Sequence, residues 1–192
     1  MKIEIKNLQT VILSQNWGVL KKCTYEYKLR DGSFENQVRE VYDRGDGATV
    51  LLYNPLSKKV ILTGQFRIPT YLNGNETGVM IETCAGKIDD EDPETCIRRE
   101  IEEETGYRVD KIKKVMEVYM SPGSVTELIH FYIAPYDEKM KVNQGGGVIH
   151  EQENIEVLEL SLEDALKKVK EGEIKDGKTI MLLQYAALEG LM

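Results

Sequence analysis

Between Ala85 and Tyr107 the chain reads A-G-K-I-D-D-E-D-P-E-T-C-I-R-R-E-I-E-E-E-T-G-Y. Glu100, Glu103 and Glu104 are three and four residues apart, a spacing that sets their carboxylates on one face of a helix. They crowd its C-terminal end, where the macrodipole is negative and disfavours acids. Several carboxylates on one face also repel, unless a cation lies among them. A hard divalent cation such as Mg2+ takes oxygen ligands of this kind, usually a few carboxylates plus substrate phosphates. The plainer reading is a solvated helix face partnered by Arg98 and Arg99, since charge runs usually face water.

Other residues could complete such a site. Arg67 is an ordinary surface arginine or a planar fork for a phosphate. Glu127 opens the strongly apolar run T-E-L-I-H-F-Y-I, in which His130 reads as structural. Gly145-Gly146-Gly147 opens a loop that ends H-E-Q-E-N and carries Glu151, Gln152 and Glu153. Three glycines beside acids suit a lid or a solvated linker. Trp17, the single tryptophan, is a core ring or one that stacks on a base. Asp176-Gly177-Lys178 leads into a final apolar helix whose first amides favour an anion.

The acidic run has its own helix signals. Asp92 is a good N-cap. Pro93 suits the first helical position, and Gly106 suits the left-handed stop. Ile97 and Ile101 form an apolar stripe that can face a core. Residues 2–30 read as short strands, Asp31-Gly32 as a turn and Phe34–Tyr42 as a returning strand, so 1–45 forms a small antiparallel sheet. Arg44-Gly45-Asp46-Gly47 marks a junction, and 46–192 forms the main domain. Ala48–Tyr53 and Val60–Phe66 make a hairpin around Asn54-Pro55. One strand over Val79–Ala85 leads directly into the acidic stretch. Further strands are expected over Val109–Tyr119, Thr126–Ile133 and Ile155–Leu160. Helices are expected over 162–171, started by Ser161 and ended by Gly172, and over 178–189. The fold class is mixed, α+β or an α/β/α sandwich.

Composition narrows the function classes. The 192 residues suffice for a sizeable core. The net charge of −8, with no basic block, excludes a broad nucleic-acid footprint. Cys23, Cys84 and Cys96 are odd in number and form no C-x-x-C pair, which fits a reduced, cytoplasmic setting. The N-terminal M-K-I-E-I-K-N-L lacks the apolar core of a secretory signal. No apolar run approaches a membrane span. No repeat, phosphate-binding G-x-x-x-x-G-K-[ST], G-x-S-x-G or Cys/His zinc spacing is present.

The run from Gly86 through Glu91 to Arg99-Glu100-Ile101-x-Glu103-Glu104-x-Gly106-Tyr107 resembles the signature of the Nudix hydrolase family. That signature is a Gly, five residues, Glu, seven residues, Arg-Glu, an aliphatic, one residue, Glu-Glu, one residue, Gly and an aliphatic. The loop from Gly86 to Glu91 is one residue shorter here, and Tyr107 replaces the final aliphatic. The segments V-Y-D-R-G-D-G-A-T-V-L-L-Y-N, Q-F-R, N-G-N-E, Y-M-S-P-G-S-V-T-E-L-I-H-F, G-G-G-V, N-I-E-V-L-E-L and G-E-I-K-D-G-K-T extend the resemblance to nearly the whole chain. They resemble the ADP-ribose/GDP-mannose pyrophosphatase branch, most closely its GDP-mannose side.

The resemblance implies a Nudix sandwich with an N-terminal β-domain, and a homodimer that exchanges those domains. It implies Mg2+-dependent hydrolysis (Mn2+ as substitute) of a nucleoside diphosphate sugar, GDP-mannose first and ADP-ribose as the alternative. A catalytically silent nucleotide-sugar sensor is a third reading, which an intact glutamate set argues against. By the same resemblance, the Ala85 carbonyl, Glu100, Glu104 and Glu153 are metal ligands, Glu103 assists them, and Arg99 orients the glutamates. The general base falls on Glu151 or on Glu127. Substrate contacts fall on Trp17, Val38, Arg39, Glu40, Arg67, Ala85, Gly86, Lys87, Glu104, Glu127, Gln152, Glu153 and Lys178. Of these, 17 and 38–40 reach into the partner subunit's site.

Overall fold

The computed structural model describes residues 3–148 and 153–192. Two compact units emerge: residues up to Asp46 together with Tyr119–Leu128, and Gly47–Val118 together with Ile129–Met192. Residues 119–128, expected in the main domain, thus group with the N-terminal sheet.

The first unit is an antiparallel meander of β1 (Ile5–Gln15), β2 (Val19–Lys28) and β3 (Phe34–Asp43). The short strands expected over 2–30 are two long ones. Register shifts between Lys6 and Gln9 and between Ile12 and Ser14 absorb the breaks in alternation, so pairing continues across them. At the Asp31-Gly32 turn the Asp31 carboxylate accepts from the Ser33 amide at 2.9 Å. The 119–128 segment is tied in by backbone bonds from Tyr42 to Ser124 and from Thr126 to Tyr42.

The second unit is built on a seven-stranded mixed sheet of β4 (Gly47–Asn54), β5 (Lys59–Phe66), β6 (Val79–Glu82), β7 (Cys84–Lys87), β8 (Lys113–Tyr119), β9 (Leu128–Pro135) and β10 (Glu156–Ser161). The main path runs β10-β5-β4-β9-β8, with β4 and β9 parallel. The hairpin of β4 and β5 is present as expected. The single strand expected over Val79–Ala85 is broken at Thr83: β6 pairs with β5, and β7 crosses to pair with β4. The polar contacts of Thr83 mark the break, since its hydroxyl meets Thr49 Oγ1 at 2.8 Å and its amide donates to Thr179 Oγ1 at 2.7 Å.

Helices α1 (Ile68–Leu72), α2 (Pro93–Glu100), α3 (Leu162–Glu171) and α4 (Gly177–Leu188) complete the unit. No apolar periodicity marks α1, which is a five-residue turn with proline near its start. Alternation on β4 sorts the two layers. Ala48, Val50 and Leu52 share one buried cluster with Ile97 and Ile101 of the acidic helix. Thr49 faces the other way, toward Thr83 and the start of α4. Leu182, Leu183 and Ala186 of α4 are buried in turn. The result is the expected α+β class.

Candidate active site

Asp92 caps α2, its carboxylate accepting from the Glu94 and Thr95 amides at 3.0 and 3.1 Å, with Pro93 next in line. Ile97 and Ile101 are fully buried. Anchoring that stripe turns the acidic face onto β7. The helix does not stay α to its end. Ile101–Thr105 forms a π turn, and Gly106 stops it with φ of 79°. Such turns recur at functional sites.

Glu100 and Glu104 are buried, at 9% and 3% exposure, which removes the reading of a solvated face. Glu104 accepts from the Ala85 amide at 3.3 Å. Gly86 allows the close approach of Glu100: a Cβ there would lie 2.2–2.4 Å from the Glu100 side chain. Burial pushes the Glu104 carboxyl up to about 8, helped by Glu100 and Glu153 and opposed by hydrogen bonds from Cys84 and Ala85. Burial likewise lifts Glu100 to about 7, with Glu103 and Glu153 adding and Arg99 opposing.

Arg99 is the hub of the acidic face. Its guanidinium meets Glu91 at 2.9 Å, Glu100 at 3.0 Å and Glu103 at 2.7 Å. Arg98 takes no part, bonding Glu94 and the Val109 carbonyl instead.

The three-glycine loop docks on the end of this helix. Helix C-termini leave carbonyls without partners. Here the Gly146 amide donates to the Glu104 carbonyl at 2.8 Å and the Gly147 amide to the Glu103 carbonyl at 3.0 Å. Gly145, Gly146 and Gly147 all have positive φ, which glycine adopts without a Cβ penalty. The docked loop brings in Glu153, whose carboxylate accepts from the Val148 amide at 2.9 Å. Glu151 and Gln152 lie outside the described residues.

The gathered donors are all oxygens on two deeply and two partly buried carboxylates, a set that fits a hard divalent cation. Among the described residues they are not closed into a ready cage. Arg99 holds Glu100 and Glu103, and the Val148 amide holds Glu153.

Beside this cluster lies a second one. Arg67 and Lys178 both converge on Glu82, a residue that sequence reasoning missed. The available signal was an acid closing the apolar run V-M-I-E. Lys87 pairs with Asp89 at 2.8 Å. His130 is half-buried on β9.

In the first unit, Trp17 is 65% exposed within the chain, so core packing does not account for it. The Arg44 guanidinium lies 4.7 Å from its ring centroid. Arg44 also forms an ion pair with Glu127, Nε to carboxylate 3.4 Å, without hydrogen-bond geometry. Arg44 was read only as part of a junction. Val38, Arg39 and Glu40 are exposed on β3.

Two family profiles match the chain in succession. A family profile described as "NUDIX domain" matches residues 43–183. One described as "GDP-mannose pyrophosphatase NudK N-terminal domain" matches residues 4–42. The GDP-mannose pyrophosphatase of Pectobacterium atrosepticum is 54% identical over 190 residues, 99% of this chain and 97% of that protein. The one from Yersinia pestis is 54% identical over 188 residues, covering 98% and 94%. The one from Yersinia enterocolitica is 53% identical over 192 residues, all of both chains.

Proposed function

From the premise that this chain belongs to the Nudix hydrolase family, we propose that it cleaves the pyrophosphate bond of GDP-mannose, giving GMP and mannose 1-phosphate. The observation that carries the reaction class is the burial of Glu100 and Glu104 on one face, which raises both carboxyls, with Glu153 adding to each. The near full-length likeness to GDP-mannose pyrophosphatases carries the substrate.

Nudix hydrolases generally need a divalent metal, and Mg2+, with Mn2+ as substitute, suits these oxygen donors. Glu100, Glu104, Glu153 and the Ala85 carbonyl would hold it, with Glu103 assisting. When bound, it neutralises the diphosphate oxygens and makes a water more acidic. The protein's own residues do the rest. Arg99 holds Glu100 and Glu103 in place for this task. Glu151 or Glu127 takes the proton from the attacking water. Gly86, Lys87 and Gln152 contact the substrate, while Trp17, Val38, Arg39 and Glu40 recognise base and sugar in the partner subunit's site.

The N-terminal sheet also serves in dimer formation, with the two subunits exchanging it. All eleven residues of β1 are exposed in the single chain, Leu8, Val11, Ile12 and Leu13 among them. Contiguous apolar exposure of that kind marks an interaction surface. No helix among the described residues is long and apolar enough to cross a membrane. Three free cysteines support a cytoplasmic setting.

The test is a panel of nucleotide sugars assayed with Mg2+, with both products identified. GDP-mannose should be the fastest substrate. Faster turnover of ADP-ribose would move the assignment to that substrate, and hydrolysis of none would point to a sensor.

A further inference from the structure

Glu82 ends β6 and is 4% exposed. An ionised carboxylate at that depth needs partners, and Glu82 has two cations. Arg67 grips both of its oxygens, Nε at 2.8 Å and Nη2 at 3.2 Å. Lys178 Nζ bonds the same Oε2 and also meets Asp176 at 2.9 Å. The three residues come from different places: the residue after β5, the end of β6 and the first turn of α4. Burial alone would raise the Glu82 carboxyl, but Lys178 and Arg67 outweigh it and hold it at about 2. Glu82 is therefore a fixed anion under two cations.

Lys178 is shared between Glu82 and Asp176, so the cluster balances in charge, and what distinguishes Arg67 is its access to solvent. The Arg67 side chain is 40% exposed while that of Glu82 is 6% exposed. The inner edge of the guanidinium is thus anchored, and no described residue accepts from Nη1. This anchored edge lies beside the acidic cluster. Glu104 acts electrostatically on Arg67, and Ala85, three residues after Glu82, donates to Glu104. A diphosphate held by a cation in that cluster would meet Arg67 at its margin, while Lys178 stays buried between Glu82 and Asp176. An arginine fork whose orientation is fixed in advance loses less entropy on binding phosphate oxygens.

We propose that Glu82 is a positioning residue for the hydrolysis, holding Arg67 as a cradle for the diphosphate of the bound nucleotide sugar, with Lys178 completing its buried side. This rests on the pyrophosphatase reading above. Glu82 touches no substrate; it acts through Arg67. The cradle grips oxygens present in substrate and transition state alike, so its loss falls on KM rather than kcat.

The experiment is steady-state hydrolysis of GDP-mannose with Mg2+ by the wild type, Glu82→Gln, Arg67→Ala and the double variant. Each single substitution should raise KM about tenfold and keep kcat within about threefold. The double variant should raise KM by less than the product of the two, because Glu82 acts in part through Arg67. A folded Glu82→Gln enzyme with wild-type KM overturns the proposal, and so do effects that multiply fully. Should Glu82→Gln not fold, Arg67→Ala and Lys178→Gln supply the same cycle. Coupled rises in KM then support a shared cradle, and independent ones overturn it. A wild type that hydrolyses no nucleotide sugar overturns the pyrophosphatase reading itself, and the cradle with it.

Discussion

Glu82 is a charge that only its neighbours make tolerable. Its carboxyl is held at about 2 against a usual value of 4.5. A carboxyl whose folded pKa is depressed adds stability above its unfolded pKa and loses it as pH falls toward the folded one. The gap corresponds to about 3 kcal/mol at neutral pH. Wild type should therefore exceed Glu82→Gln in stability to urea at pH 7. The difference should shrink below about pH 4.5 and vanish near pH 2; a difference constant across that range would contradict the assignment. At this scale the sequence spoke unevenly. Glu100, Glu103 and Glu104 were legible because helical spacing puts acids on one face. Glu82 was not, since a strand acid looks alike whether it meets water or a buried arginine. Arg44 gave no signal either, because its contact with Trp17 depends on how a meander folds rather than on spacing.

At the scale of elements, the helix and the three-glycine loop form one device. The loop's amides satisfy the carbonyls of Glu103 and Glu104, and the helix end thereby fixes where Glu153 stands. Gly106 is the joint. It has φ of 79°, and a Cβ there would lie 2.3 Å from the Asn143 carbonyl oxygen and 2.8 Å from the Gly145 nitrogen. Gly106→Ala should cost about 2 kcal/mol or more, measured by urea denaturation. Hydrolysis should fall further than stability explains, because the loop loses its dock. A variant with wild-type stability and rate would separate the loop from the site. The ends of this helix were readable in Asp92, Pro93 and Gly106, each with its own backbone preference. The π turn was not, because it has no residue signature and arises from how the helix end meets β7 and the loop. Val79–Ala85 read as one strand for a similar reason: the crossing at Thr83 depends on Thr49 and Thr179, both distant in sequence.

Across the whole molecule, the α+β class followed from strands that dominate the middle and helices that come late. Alternation on β4 fixed which residues meet α2. Residues 119–128 gather by contact with the N-terminal sheet although the Nudix profile runs through them, because the backbone bonds of Tyr42 to Ser124 and Thr126 leave no mark in the sequence. The exposed β1 is the feature that one chain leaves unexplained. If it pairs two subunits, sedimentation should find the wild type a dimer and Val11→Glu/Ile12→Glu a monomer with reduced activity; an unchanged dimer in the variant would remove β1 from the interface. The central claim is that the buried glutamates hold a divalent cation that drives diphosphate cleavage. Its most direct measurement is a Mg2+ titration of GDP-mannose hydrolysis by chelator-treated wild type and Glu104→Gln. The wild type should be silent without metal and saturate as Mg2+ rises, releasing GMP and mannose 1-phosphate in equal amounts. Glu104→Gln, still folded, should turn over slower by a factor on the order of a hundred or more at every Mg2+ concentration. Full activity in the chelated wild type, or a wild-type rate in Glu104→Gln, would contradict it.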